Sequence, residues 1–266
     1  MSNFPPYETL ETQLHGAHVM QITLNRPAAL NALNTQMARD LLDLVTRITA
    51  DPGTIRCVVL TGVGDKAFCS GGDLKERDGM TRAQWEAQHE LFERTFVAMM
   101  ECPTPIIAAV NGHAYGGGLE MALCCDFVYA ARGARFALSE VRLGIMPGGC
   151  GTQNLARAVG ERRAKELILS GGAFSADDGM LWGAFNRACD TGTTLAAALA
   201  TAQVTAGNAP RSVRQAKKSI HYGLQTDLLT GYRFEIEAYN RLVDTDDRRE
   251  GVKAFNEKRA PVFQGR

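Results

Sequence analysis

The sequence predicts an α/β fold, and two apolar runs that each lead into a glycine-bearing segment carry that prediction. The runs are residues 56–61 and 105–110, and their nearly continuous apolar character is typical of buried parallel strands. Residues 67–73 follow the first run and residues 111–120 follow the second, and both resemble turns that open a helix. A recurring order of strand, glycine turn and helix indicates an α/β core.

The other elements of the first half follow from periodicity. Residues 7–25 alternate like two strands joined by a turn near His15 and Gly16. Residues 35–50 carry an apolar stripe at helical spacing, which Asn34 or Thr35 can cap. A long helix is predicted over 81–101, and two further short strands are predicted over 127–130 and 135–138.

From about residue 150 the pattern is helical, and no intervening strand is predicted. The helical stretches are 161–170, 175–183, 193–206, 211–222, 228–243 and 248–259. We therefore predict a catalytic core over residues 1–195 and a helical region over residues 196–266, with Asn208-Ala209-Pro210 as the best candidate break near that boundary.

Composition excludes several function classes. The 266 residues are 45% hydrophobic and 22% charged, and Lys+Arg equals Asp+Glu at 29 each, so no net basic field favours nucleic acid or a membrane surface. No apolar run approaches ~20 residues, and residues 1–6 lack a leader-peptide pattern. The seven scattered cysteines include no CxxC, which predicts reduced thiols in the cytoplasm and no metal site.

The two glycine segments carry the candidate chemistry. The N–H groups of Gly72 and Gly117 could together hold an oxygen that becomes negative during a reaction. Glu120 lies among apolar residues that predict burial, and a buried carboxylate is costly without a purpose or a partner. Glu140 is also in an apolar setting, although a helix cap or an ion pair with Arg142 or Arg135 would equally explain it. Close helix packing is a second, compatible reason for the glycines at 116–118.

Other motifs are weaker. Residues 61–67 fit a relaxed dinucleotide fingerprint, but turn-like sequence follows where that fingerprint needs a helix, so a plain loop is favoured. Cys69 has no evident histidine partner, and Ser70 lies in no G-x-S-x-G elbow. Among the histidines only His113 is expected near the site, as a wall residue.

Five segments, taken together, resemble the crotonase superfamily, specifically enoyl-CoA hydratases. The resemblance runs almost end to end and lies in NRPAALNAL (25–33), AFCSGGDLK (67–75), NGHAYGGGLE (111–120), LGIMPGG (143–149) and FNEKR (255–259). It implies a core that is a spiral of ββα turns, and a C-terminal helical region that forms a homotrimer or, by stacking, a homohexamer.

The resemblance also implies a reaction. Gly72 and Gly117 would hold the thioester oxygen of an acyl-CoA, and the presence of both Glu120 and Glu140 implies reversible addition of water to a trans-2-enoyl-CoA in fatty-acid or related catabolism. Water would be handled mainly by Glu120, and Cα would be protonated mainly by Glu140. No cofactor is implied, since CoA is part of the substrate. The implied substrate-binding residues are Ala67, Phe68, Asp73, Leu74, Lys75, Phe255 and Lys258.

Two departures and three alternatives accompany this resemblance. Ala28 stands where many relatives have a basic residue, and Cys150 interrupts a glycine-rich stretch. An enoyl-CoA isomerase would transfer protons without fixing water, and a lyase of the carnitinyl-CoA dehydratase type would act on the same fold. An RNA-binding relative would need a basic patch, and the modest one at Arg211, Arg214, Lys217 and Lys218 is more simply a solvated helix face.

Overall fold

The structure is a computed structural model that describes residues 4–266. Residues 1–3, part of the segment on which the leader-peptide expectation rests, lie outside the described residues. The strands in the described part are β1 (Leu10–His15), β2 (Val19–Leu24), β3 (Cys57–Gly62), β4 (Ala67–Cys69), β5 (Ile106–Val110), β6 (His113–Tyr115), β7 (Phe127–Ala131), β8 (Arg135–Ala137), β9 (Phe174–Ser175) and β10 (Arg187–Cys189).

The α-helices of residues 4–266 alternate with these strands in the first half and dominate the second. They are α1 (Thr35–Ala50), α2 (Leu74–Arg77), α3 (Arg82–Glu101), α4 (Gly117–Leu123), α5 (Gly151–Val159), α6 (Glu161–Ser170), α7 (Ala176–Trp182), α8 (Thr194–Gly207), α9 (Pro210–Gly223), α10 (Leu228–Asn240) and α11 (Asp246–Asn256). None of them is long and apolar enough to cross a membrane.

The strands form two sheets, and from β3 onward each consecutive pair places one strand in each sheet. The larger sheet has the order β1-β2-β3-β5-β7-β10, and the smaller has β4-β6-β8-β9. Pairing is parallel from β2 through β10 in the larger sheet and from β4 through β8 in the smaller one. The chain thus winds through successive ββα turns, which confirms the predicted spiral core.

Capping explains where the two long helices begin. The side chain of Asn34 accepts a hydrogen bond from the Met37 N–H at the start of α1, and Thr81 and Gln84 form a reciprocal capping box at the start of α3. α1 and α3 pack against each other beside the larger sheet. Their apolar faces belong to the main core, together with Phe68, Phe136 and Leu155.

Three sequence predictions need correction. Strands do occur after residue 150: β9 pairs with β8, and β10 extends the larger sheet beside β7. With only two and three residues, they are too short to show alternation. The helix α5 went unpredicted because it follows glycines, and each glycine segment begins with a short strand, β4 or β6, before its turn.

The helix α8 covers one face of the larger sheet. Ala198, Ala202 and Ala206 are buried against a second apolar cluster that includes Val59 and Ile107. The predicted domain boundary between residues 195 and 196 falls near the start of α8. That division stays a prediction.

Candidate active site

A cavity of about 490 Å³ opens where the turns of both glycine segments meet the 3-10 helix Glu140–Leu143 and the glycines before α5. Its wall is mostly apolar and includes Arg77, His89, Glu120 and Glu140, which come from four different helices of the chain, as well as the polar residues Ser70, Tyr115 and Ser139. The apolar lining comes from Leu33, Leu74, Trp85, Phe92, Phe96, Leu143, Ile145, Met146 and Pro147.

Gly72 and Gly117 lie next to each other in the wall of this cavity. A Cβ placed on Gly117 would lie 3.7 Å from the Gly72 nitrogen. Leu33 and Gly72 form a parallel bridge, in which the Leu33 N–H donates to the Gly71 carbonyl and the Asp73 N–H donates to the Leu33 carbonyl. The Gly72 N–H takes no part in these bonds and is directed away from Leu33. Gly117 is the first residue of α4, so its N–H has no partner within the helix. Both donors are therefore available to a ligand oxygen in the cavity.

The three consecutive glycines serve three different purposes. Gly116 has φ 50°, a left-handed conformation that favours glycine. Gly117 fronts the cavity. A Cβ on Gly118 would lie 2.2 Å from the Cys69 carbonyl oxygen, so α4 packs directly on the backbone of β4. Packing and ligand approach, the two compatible explanations from the sequence, apply to different residues of the triplet.

Glu120 is buried, as predicted, and is held by backbone groups. Its Oε1 accepts hydrogen bonds from the N–H groups of Gly149 at 2.8 Å and Gly151 at 3.0 Å. Burial and then the nearby charge of Glu140 raise the pKa of Glu120 to about 7, against the opposing effect of the two N–H donors. The glycine-rich stretch that Cys150 interrupts thus positions this carboxylate.

Glu140 begins the 3-10 helix and is buried beside the Gly116 turn, where a Cβ on Gly116 would lie 3.0 Å from its Oε1. Its Oε2 is a buried oxygen without a hydrogen-bond partner in residues 4–266. Neither Arg142 nor Arg135 forms an ion pair with it in that part of the chain, so the alternative explanation by an ion pair is wrong. Burial raises the pKa of Glu140 above its usual value. An unpaired buried oxygen beside a cavity is suited to accept or give a proton to a bound molecule.

Sequence reasoning missed Arg77 and His89 and misplaced His113. The imidazole Nδ1 of His113 accepts the Arg135 N–H at the protein surface, whereas His89 lines the cavity. Helical spacing could have shown this, because Trp85, His89, Phe92 and Phe96 lie on one face of α3. Arg77 at the end of the short helix α2 carried no comparable signal.

The predicted substrate-binding residues lie in several settings. Ala67 and Phe68 are buried in the core, so only their backbone could meet a ligand. Asp73 caps α2 and pairs with Arg26 at 2.9 Å. Leu74 lines the cavity, and Lys75 is exposed beside it. Phe255 and Lys258 are exposed at the end of α11, outside the cavity lining. Their predicted roles remain to be tested.

The comparisons with known proteins agree with this geometry. A family model described as enoyl-CoA hydratase/isomerase matches residues 15–266. The chain is 38% identical to the (E)-benzylidenesuccinyl-CoA hydratase of Thauera aromatica, over 93% of this chain and 96% of that protein. It is 37% identical to the short-chain-enoyl-CoA hydratase of Clostridium acetobutylicum, over 91% of this chain and 92% of that protein.

A solved structure is similar over the same extent. The crystal structure of an enoyl-CoA hydratase from Bacillus anthracis superposes with a TM-score of 0.95 at 40% identity, covering 97% of this chain and 100% of that one. The spiral of ββα turns, the adjoining glycines Gly72 and Gly117 and the family match together show that this chain belongs to the enoyl-CoA hydratase/isomerase family.

Proposed function

We propose that this protein is an enoyl-CoA hydratase, a hydro-lyase that adds water reversibly across the 2,3 double bond of a trans-2-enoyl-CoA. The observation that carries the proposal is the convergence of Glu120 and Glu140 on the cavity that Gly72 and Gly117 also line. Related hydratases with 37–38% identity support it.

The chemistry follows from the charge that develops on the thioester. Attack of water on Cβ pushes electron density through the conjugated double bond onto the carbonyl oxygen. Two N–H donors aimed at that oxygen stabilise the enolate, and loss of one such donor typically costs about 3–4 kcal/mol. The Gly72 and Gly117 groups are fixed by β4 and α4 before the substrate arrives, so little reorganisation is needed.

The two carboxyl groups supply the proton transfers. One must be ionised to take a proton from water, and the other must be protonated to deliver one to Cα. The predicted division gives water to Glu120 and Cα to Glu140. Burial raises the pKa of both carboxyl groups, so either can retain the proton that the pair needs near neutral pH. The division between the two stays a prediction.

Hydration is tested by the loss of absorbance of a conjugated enoyl-CoA. Purified protein is expected to lower the absorbance of crotonyl-CoA in water, and oxygen-18 from labelled water is expected in the product. A double-bond isomerase would leave the product free of the label. Unchanged absorbance across short, branched and longer enoyl-CoAs would refute the proposal.

The value of kcat/KM for hydration is expected to fall as pH rises through about 7. A carboxyl group with a raised pKa is protonated below that value and ionised above it. Above it both members of the pair are ionised and the proton donor is lost, so the descending limb belongs to the pair. Initial rates of hydration from about pH 5.5 to 9 measure this. A flat profile across that range would contradict it.

The proposal extends to assembly and binding. Large apolar side chains remain exposed on the C-terminal helices, which supports a homotrimer or homohexamer and is tested by light scattering; they include Ile220, Leu224, Leu228, Leu229, Tyr232, Tyr239 and Phe255. Such an assembly could bring the exposed Phe255 and Lys258 to a neighbouring copy's CoA, with Asp73, Leu74 and Lys75 contacting it at the cavity mouth.

Cofactor use and location are proposed on chemical grounds. The proton transfers described need no group beyond the CoA of the substrate, and dialysis against a chelator is expected to leave activity intact. All seven cysteines are free thiols, which supports a reducing compartment such as the cytoplasm and can be checked by fractionating cells.

A further inference from the structure

Arg77 places a guanidinium in a cavity wall that is otherwise mostly apolar. Arg77 ends α2, and its side chain returns towards the glycine turn, so that a Cβ built on Gly72 would lie 3.6 Å from both Cζ and Nη1. The Cζ atom stands 4.4 Å from the centre of the Trp85 ring and 5.2 Å from that of Phe92. The cation therefore lies beside the N–H group that faces the reacting carbonyl.

A buried amide fixes the orientation of this guanidinium. The Nε of Arg77 donates to Oε1 of Gln88 at 2.8 Å. The amide nitrogen of Gln88 donates in turn to Thr35 Oγ1 and Glu76 Oε2, at 2.8 and 2.7 Å. Gln88 is 4% exposed, and all its polar atoms are engaged. Its amide cannot rotate without losing these bonds, so it presents Arg77 in one direction.

The outer nitrogens of Arg77 lack a protein partner. Across residues 4–266, neither Nη1 nor Nη2 hydrogen-bonds to another residue, and no carboxylate forms an ion pair with the side chain. Burial lowers the pKa of Arg77 below its usual range. Glu76 and Glu120 lie near enough to favour the charged form, yet neither hydrogen-bonds to Nη1 or Nη2. Leaving these donors of a half-buried cation without a partner is costly, whereas a leucine or methionine would suit an alkyl chain at no such cost.

The geometry points to a carboxylate on the acyl group of the substrate, bound by Nη1 and Nη2 of Arg77. This inference rests on the proposed function, and it makes the substrate the CoA thioester of a short unsaturated dicarboxylic acid. A guanidinium presents paired N–H donors that match the two oxygens of a carboxylate. The carboxylate would be short-tethered, because Arg77 adjoins Gly72, and it would need a cation there to offset repulsion from Glu120 and Glu140.

Two matched thioesters test the inference through kinetics. The trans-2-pentenedioyl and trans-2-pentenoyl thioesters of CoA have the same chain length and differ in a terminal carboxylate or methyl group. The wild-type kcat/KM is expected to favour the carboxylate by roughly 10–100-fold, the range for hydrogen bonds to a charged group. Arg77→Met should reduce this ratio by a similar factor, and Arg77→Lys should reduce it less, because lysine keeps the charge without the fork.

Arg82→Met is the matched control. Arg82 lies at the exposed start of the neighbouring helix α3 and pairs only with Glu86 there, so its removal should leave the ratio of the two substrates unchanged. Circular dichroism checks that each variant is folded. Should Arg77→Met not fold, the reduced ratio expected for Arg77→Lys tests the same contact.

A binding measurement separates this inference from the proposed reaction. The saturated glutaryl and pentanoyl thioesters of CoA cannot be hydrated, and calorimetry is expected to show tighter binding of the glutaryl thioester, lost in Arg77→Met. That preference without hydration of any enoyl-CoA would refute the hydratase proposal and leave the carboxylate site standing. A wild-type ratio near one, or a ratio that Arg77→Met leaves unchanged, would overturn the inference.

Discussion

Replacing Glu120 or Glu140 with glutamine is expected to lower kcat for hydration by about 10²–10⁴-fold, the usual contribution of a general acid or base. Glutamine keeps the shape of each side chain but can neither take nor deliver the proton. The amide oxygen of glutamine can still accept the N–H groups of Gly149 and Gly151, so Glu120→Gln preserves the backbone around it. Stopped-flow or steady-state absorbance measures the loss, and full activity in either variant would disprove that residue's role.

The Glu120→Gln variant should lose activity but gain stability relative to the wild type as pH rises. Because the pKa of Glu120 is raised from 4.5 to about 7 in the folded protein, the favourable contribution of its protonated form is complete below the unfolded pKa. That contribution is lost as pH rises through the folded pKa. Glutamine does not titrate, so the free energy of unfolding of the variant relative to wild type should increase by about 3 kcal/mol between pH 4.5 and 8.

Urea unfolding at the two pH values, at one protein concentration, measures this difference. An inactive variant that gains stability at alkaline pH would show that lost chemistry, and not misfolding, explains the kinetics. Equal stability differences at both pH values would mean that the pKa of Glu120 is ordinary in the folded protein.

Replacing Gly118 with alanine is expected to destabilise the fold by about 1–3 kcal/mol, the usual cost of overpacking. The added Cβ would lie 2.2 Å from the Cys69 carbonyl oxygen and 2.8 Å from its carbon, and backbone atoms cannot rotate away. The helix α4 would have to move, and it carries both the Gly117 N–H and Glu120. The midpoint temperature of thermal unfolding and kcat should therefore both decrease.

Two other glycines provide contrasting controls. A Cβ on Gly117 meets only the Gly72 nitrogen at 3.7 Å and a Leu33 methyl at 3.9 Å, both ordinary contacts, so Gly117→Ala should keep its stability while the methyl group obstructs the donors. A Cβ on Gly207, at the end of α8, meets nothing within 4 Å, so Gly207→Ala should lower neither the stability nor kcat. If Gly118→Ala unfolds at the same temperature as Gly207→Ala, the packing of α4 on β4 is looser than described.

Periodicity and local motifs predicted most of the fold, and their failures have identifiable causes. The bounds of α1 and α6 were correct because apolar spacing and caps agree with the final structure. The strands β9 and β10 depend on partners more than 35 residues away, and β4 and β6 were hidden inside glycine segments. Such short strands exist because neighbouring strands pair with them, and local sequence does not encode that.

The candidate site shows the same division. The burial of Glu120 could be inferred from its apolar neighbours, and the adjoining glycines Gly72 and Gly117 from their motifs. The two backbone donors that hold Glu120 come from a stretch about 30 residues later, and Arg77 acquires its position through Gln88 on another helix. Contacts between distant segments create the electrostatics of this site, so composition and spacing could not reveal them.

The late position of α8 in the chain has a consequence for synthesis. The apolar sheet face that includes Val59 and Ile107 is covered by Ala198, Ala202 and Ala206, about 140 residues after Val59. At roughly 5–20 residues per second, the ribosome needs about 7–30 s to make that stretch. During this interval the nascent sheet face has no covering helix, so its apolar side chains are exposed to aggregation until α8 has been made.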